Sequence, residues 1–234
     1  MTEIKSDSSE YWNNVYSQFH ENTPIRDSVW NEEPTYFFVR LIPFLKHNGN
    51  KTIMDAGCGD GRNLRPFIES GFDVIGLDMS QYALGICKKL FANRENLKLI
   101  NSQLESIPLP PKSVDVLICD HALTHIKDVN RVLDNFHVLL KDGGNALIEF
   151  TSHFDSTFGQ GNKLSPNEFN QKGVYLRYDT PDDIYKMLHK FEILCFTSEH
   201  STDPPHGPGY IRKERHAHHS YFVVARKRKP STNK

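Results

Sequence analysis

Between residues 51 and 151 short apolar runs alternate with helix-patterned runs, and this rhythm narrows the fold more than any other feature of the sequence. KTIMDA, FDVIGLD, LKLIN, VDVLICD and NALIEFT have the length and make-up of buried strands. RNLRPFIES, SQYALGICKKLFANR and VNRVLDNFHVLL lie between them with apolar residues at helical spacing. Repeated strand, helix, strand units predict a mostly parallel sheet with helices on both faces, an α/β fold. Ser80 is placed to cap a helix, and KDGG at 141–144 to stop one and turn into the next strand.

A chain of 234 residues suffices for one such domain and is short for two, so 1–234 is expected to form a single domain. Residues 1–9 are polar and are expected to be disordered. Tyr11, Trp12, Tyr16 and Phe19 then recur at roughly helical spacing, and Pro34 opens a run that Pro43 interrupts or ends. The 1–45 segment, with Trp30, has the composition of a lid or of a helix packed on a sheet edge. After Thr151 the periodicity is lost, so 152–178 is expected to be an irregular insertion facing a substrate. In 179–229, TPDDIYKMLHKF predicts a helix capped by Thr180, and FEILCFTSEH and HSYFVVARK predict two closing strands.

Charge excludes several partners. The chain has 28 Lys and Arg against 29 Asp and Glu, and its one basic run, RKRK at 226–229, reads as a solvated tail, so neither nucleic acid nor a membrane surface is expected as a partner. No leader or membrane-length apolar run appears, which predicts a soluble cytoplasmic protein. Cys58, Cys87, Cys119 and Cys195 are widely spaced and suit a reducing compartment.

DAGCGDGRN, residues 55–63, follows the first strand. A dinucleotide fingerprint wants a third glycine where Arg62 stands, and a phosphate loop wants a G-K-[ST] that never comes. What remains is a turn open to close approach by a ligand, an acid at the end of strand one (Asp55) and an acid at the end of strand two (Asp78) able to accept from both hydroxyls of a ribose. An acid at Asp55 is awkward beside a pyrophosphate and apt beside an ammonium group. A nucleoside joined to a cationic amino acid is S-adenosyl-L-methionine.

Residues 52–151 resemble the core of the class I S-adenosylmethionine-dependent methyltransferases. IMDAGCGDGRN resembles that family's first motif and VIGLDMS its second, while NSQLESIPLPPKSVDVLICDHALTHI resembles its adenine loop and the strand lining the donor pocket. The resemblance implies a Rossmann-like, doubly wound sheet of seven strands with the last antiparallel. It also implies donor-binding roles for Asp55, Gly57, Cys58, Gly59, Arg62, Asn63, Asp78, Met79, Gln103, Leu104, Glu105 and Asp120, with Tyr11, Trp12 and Tyr16 closing over the donor. Gln103 stands where the family usually carries an Asp, a departure that leaves that residue's part open.

Methyl transfer from a sulfonium is an in-line displacement that needs alignment above all, no metal, and for oxygen or nitrogen acceptors a base. CDHALTHI offers His121 and His125 at the end of strand four, where open α/β sheets bind ligands, although both can equally cap or pack the next helix. Tyr175, Tyr178 and His218 are candidates for the acceptor wall. His206, His216, His218 and His219 also permit a zinc reading, which lacks a clear third ligand. The function expected is methyl transfer to a small molecule. A protein or tRNA methyltransferase, or a non-catalytic nucleoside-binding protein of the same fold, are the alternatives.

Overall fold

The computed structural model describes residues 3–20, 33–203 and 215–228; Trp30, His206, Lys229 and the side chain of Phe19 lie outside the described residues. Five strands alternate with helices as the sequence predicts: β1 (Thr52–Ala56), β2 (Asp73–Asp78), β3 (Leu97–Asn101), β4 (Val114–Cys119) and β5 (Leu140–Thr151). Among the described residues, the N-terminal helices α1 (Ser9–His20), α2 (Tyr36–Val39) and α3 (Ile42–His47) precede β1. Helices α4 (Leu64–Glu69), α5 (Gln81–Leu90) and α6 (Val129–Leu139) make the crossovers. Ser80 accepts from Ala83 N and Asp128 from Arg131 N, so side-chain caps begin α5 and α6.

β9 (Phe191–Asp203) and β10 (His216–Lys227) complete a seven-stranded sheet of order β3-β2-β1-β4-β5-β10-β9. β10 runs antiparallel to both its neighbours, and the other pairings are parallel. Successive strand residues point to opposite faces. Met54, Leu117, Cys119 and Ile148 pack under α6 and under Ile184 and Leu188 of α7 (Pro181–Met187) and its C-cap. Ile53, Val116, Ile118 and Leu147 pack with Phe67 of α4, Cys87 of α5, and Phe37 and Phe38 of α2. Strands buried on both faces read as nearly continuous apolar runs, which is why they were legible.

Four local expectations need correction. The KDGG stop lies inside β5, where the register jumps from Val114↔Leu140 to Val116↔Asn145 and Gly143 takes a φ of 80°. Residues 152–178 contain a three-stranded antiparallel sheet: β6 (Asn162–Ser165), β7 (Glu168–Gln171) and β8 (Val174–Arg177). Lys172 and Gly173, both at positive φ (57° and 96°), make the two-residue turn that matches strand twist. Residues 5–8 are fastened instead of loose: Lys5 N and Ser6 N donate to Gly173 O at 2.7 and 3.2 Å, and Ser6 is buried. Pro43 falls in the first turn of α3, so it separates two helices and opens the second. All four cysteines are free thiols, and no helix among the described residues is long and apolar enough to cross a membrane.

Candidate functional site

The strand order reverses between β1 and β4, and a crevice opens there at the carboxyl ends of the strands. β1 delivers the glycine turn into it. Gly57 N and Cys58 N donate to Leu77 O at 2.7 and 3.0 Å, tying the turn to β2. Gly59 N donates to Asp78 Oδ2 and Ser80 N to Asp78 Oδ1, each at 2.8 Å. Asp78 therefore shapes the turn with one oxygen and the start of α5 with the other. A carboxylate has about four acceptor positions, so capacity is left for a ligand. A side chain at Gly59 would strike the Tyr16 hydroxyl, and one at Gly57 would meet Ala122 Cβ at 2.6 Å, so side-chain atoms close over the turn on both sides.

The acids of the crevice have opposite characters. Asp120, at the end of β4, gives Oδ2 to Arg62 Nη2 (2.5 Å), Thr35 Oγ1 (2.7 Å) and Asn63 Nδ2 (2.9 Å), while its buried Oδ1 makes no hydrogen bond. Burial pushes this carboxyl up, but the Arg62 charge, His121 and the hydrogen bonds outweigh it and hold Asp120 at about 2. Asp55 is the reverse. Both its oxygens are buried without a hydrogen-bond partner, and burial, with Asp120 close by, pushes it up to about 8. Burial also raises Asp78, against the N–H groups of Ser80 and Gly59.

A cavity of about 510 Å³ runs along these strand ends. At one end Gly57, Cys58, Gly59, Arg62, Asn63, Asp78, Met79, Gln103, Leu104, Glu105 and Asp120 line it, with Tyr11, Trp12 and Tyr16 of α1 across from them. At the other end stand His121, His125, Tyr178 and His218. Two residues singled out from the sequence do not reach the wall. Asp55 lies behind the turn, paired in register between Gly76 and Ile118. Tyr175 is buried outside the cavity lining, and its backbone bonds to His125 and Ser6.

The far end is assembled from distant pieces. His121 has a left-handed backbone (φ 51°), its N–H donates to Glu149 Oε2 at 3.1 Å, and its Nδ1 is 3.5 Å from Glu149 Oε1. His125 Nδ1 is 3.0 Å from Tyr175 O, and its ring meets Trp12 edge-on at 4.9 Å. His216 and His218 do share a strand face and meet Nε2 to Nε2 at 3.0 Å, while His218 Nδ1 is 3.0 Å from Asp155 Oδ2. Burial pushes Asp155 up, but His218 and Thr157 bring it well below the usual carboxylate range. Tyr178 donates to Thr157 Oγ1 at 2.9 Å, closing that wall. Sequence reasoning missed Ser6, Glu149, Asp155 and Thr157. Ser6 receives Tyr175 N on its hydroxyl at 2.9 Å and Trp12 Nε1 on its carbonyl at 2.7 Å. Only an acid inside an apolar run, Glu149 in LIEFT, was a visible signal.

A family model described as a methyltransferase domain matches residues 54–148. The chain is 26% identical over 196 residues to the ubiquinone biosynthesis O-methyltransferase of Rickettsia akari, covering 80% of this chain and 74% of that one. In another relative of that name, from Coxiella burnetii, the match covers 41% of the relative. Among solved structures, one from work on conversion of a disulfide bond into a thioacetal group during echinomycin biosynthesis superposes with a TM-score of 0.70 at 16% identity, covering 96% and 94% of the two chains. The Burkholderia thailandensis 1,6-didemethyltoxoflavin-N1-methyltransferase, solved with 1,6-didemethyltoxoflavin and S-adenosylhomocysteine, superposes with a TM-score of 0.60 at 15% identity, covering 94% and 88%. The strand order and the glycine turn agree with these matches: residues 54–148 are a methyltransferase domain, in a chain with the fold of the class I S-adenosylmethionine-dependent methyltransferases.

Proposed function

We propose that this methyltransferase acts on a small molecule held between the end of β4 and the β6–β8 sheet, with His121 as the group that takes the acceptor's proton. One observation carries the reading. The cavity is continuous from the glycine turn to His121 and His218, and α1 and the β7–β8 hairpin border it, which suits a small ligand better than a macromolecule. The relatives agree in kind, since one is named for O-methylation in ubiquinone biosynthesis and a structural neighbour for N-methylation of a toxoflavin precursor. Surface charge supports the same conclusion. Arg94 lies 4.0 Å from Glu69 and Arg226 lies 3.9 Å from Glu192, so these cations are paired with acids instead of gathered into a basic groove. A cytoplasmic location fits such an enzyme.

The residues present fit the donor. In this reading Asp78 takes the ribose hydroxyls, Gln103, Leu104 and Glu105 the adenine side, and the Gly57–Cys58–Gly59 backbone the amino-acid end, and all of these residues line the cavity. Arg62 faces the acids Asp120, Asp60 and Asp55, and its guanidinium is already spent on Asp120. A bound sulfonium or ammonium group would favour the ionised forms of Asp55 and Asp78, which burial raises in the ligand-free site. S-adenosylmethionine supplies the methyl group on a sulfonium. The chain's own part is to align the acceptor, exclude water with Tyr11, Trp12 and Tyr16, and receive a proton at His121 Nε2 as the acceptor heteroatom loses it. Tyr178 and His218 wall the acceptor, and His125 links that wall to α1 through Trp12.

The test is a metabolite library incubated with methyl-labelled donor and read by mass. Label transferred to a small hydroxyl or amine compound is the expected result. Label found only in added protein or tRNA would overturn the small-molecule reading.

A further inference from the structure

Glu149 belongs to no donor motif, yet it is a fully buried acid in a core strand, where an acid without purpose is costly. We propose that Glu149 is a positioning residue for His121, holding the imidazole proton on Nδ1 so that the Nε2 lone pair faces the acceptor. This rests on the reading of His121 as proton acceptor.

The carboxylate is held as an acceptor. Its Oε1 receives Ser220 Oγ at 2.6 Å and Thr151 Oγ1 at 3.3 Å, and its Oε2 receives His121 N at 3.1 Å. A proton on Oε2 would oppose the His121 N–H, which can only donate, whereas the Ser220 and Thr151 hydroxyls can also accept. Burial raises the group, and the charge of Asp120 adds to that, while His121, Ser220 and the His121 N–H pull it back. The same residue sets the backbone of His121, whose φ of 51° is rare for a residue with a side chain and persists where neighbours over-determine it.

Ring geometry gives the tautomer. His121 Nδ1 lies 3.5 Å from Glu149 Oε1, and Nε2 lies 3.9 Å from Asp120 Oδ1. An ionised carboxylate only accepts, so in the neutral ring the proton belongs on the nitrogen nearer a carboxylate, Nδ1. Contacts of this length in a ligand-free site shorten when the reacting group is bound. A proton arriving at Nε2 then faces Asp120 Oδ1, the buried oxygen that has no hydrogen bond. The imidazolium so formed has a carboxylate beside each nitrogen. Asp120, His121 and Glu149 also bring ligand atoms within 4.8 Å of one another, so a divalent cation is the competing occupant.

The experiment uses the full chain with 15N-labelled histidine, loaded with S-adenosylhomocysteine, and long-range 15N–1H correlation, with His121→Asn identifying the resonances. The expected spectrum shows His121 protonated at Nδ1 and bare at Nε2. Glu149→Gln, whose amide N–H can face Nδ1, is expected to move the proton to Nε2, and Glu149→Asp to restore the wild-type pattern. A wild-type ring protonated at Nε2, or a folded Glu149→Gln with an unchanged tautomer, would overturn the proposal; if that variant does not fold, the wild-type tautomer decides. Equimolar Mn²⁺ broadening His121 selectively would also overturn it, in favour of a cation site. Calorimetry on the same samples reports S-adenosylhomocysteine binding, so failure of the donor site is seen separately from failure of Glu149.

Discussion

The two ends of the cavity are built by different rules. At the proposed donor end the cradle is close in sequence: the turn at 57–61 donates to Leu77 O, and the Asp78 side chain accepts from Gly59 N and Ser80 N. At the acceptor end they come from across the chain: Ser6 meets Tyr175, His125 meets Tyr175, Asp155 meets His218 and Glu149 meets Ser220. A strand-turn-strand unit fixes a backbone cradle for any sequence that spares its glycines and acids. Side chains that meet over long separations can be exchanged without touching that cradle. On the proposed reading, local backbone fixes the donor end and long-range side-chain contacts fix the acceptor end.

The largest effect that tests this division is on turnover. His121→Asn is expected to slow transfer to an oxygen or nitrogen acceptor by ~10²–10⁴-fold while leaving donor affinity unchanged. Equal loss of both, measured by kinetics and calorimetry, would place His121 in the donor end. Next are the two acids at neighbouring strand ends, which should respond oppositely in ligand-free protein. Asp55 is raised from 3.8 to about 8 in the fold, so the stability it allows is complete below pH 4 and is lost as pH rises toward 8. Asp55→Asn should therefore stabilise, on the order of 4 kcal/mol at pH 7, with the gain vanishing near pH 4. Asp120 is lowered to about 2, so its contribution is present above pH 4 and lost between about 4 and 2. Asp120→Asn should destabilise by ~2 kcal/mol at pH 7. Denaturant unfolding at several pH values checks both signs, and like signs would contradict the assigned charges.

Asp78→Ala should weaken S-adenosylhomocysteine binding by ~1.5–3 kcal/mol, the scale of hydrogen bonds to a charged group. Calorimetry with unchanged affinity in a folded variant would remove the ribose assignment. The smallest effect belongs to the seam between the N-terminal segment and β8. Ser6→Ala loses the bond from Tyr175 N and should cost ~1 kcal/mol of stability. Its amide-exchange protection at Tyr175 should fall, with protection at Gly59 unmoved; a matching fall at Gly59 would show the two ends to be coupled.

The cradle of the proposed donor end was legible because it rests on one local pattern. Three glycines, Asp55 and Asp78 stand at strand ends that apolar runs mark unambiguously. The β6–β8 sheet was hidden because its strands have only four residues each and alternate too briefly to show a period. Lys172-Gly173 was a readable hairpin signal, passed over because the first residue is Lys and not Asn or Asp. Ser6 and Asp155 carried no local sign, since their partners lie 169 and 63 positions away. Asp55 was placed on the right strand but not behind the turn, because sequence gives the element and not the depth of a side chain.

Calorimetric titration of S-adenosylhomocysteine and NAD into wild-type protein and His121→Asn tests the division most directly. The account predicts one S-adenosylhomocysteine site of the same affinity in both proteins and no heat from NAD. NAD binding without S-adenosylhomocysteine binding, or loss of the S-adenosylhomocysteine site in His121→Asn, would contradict it.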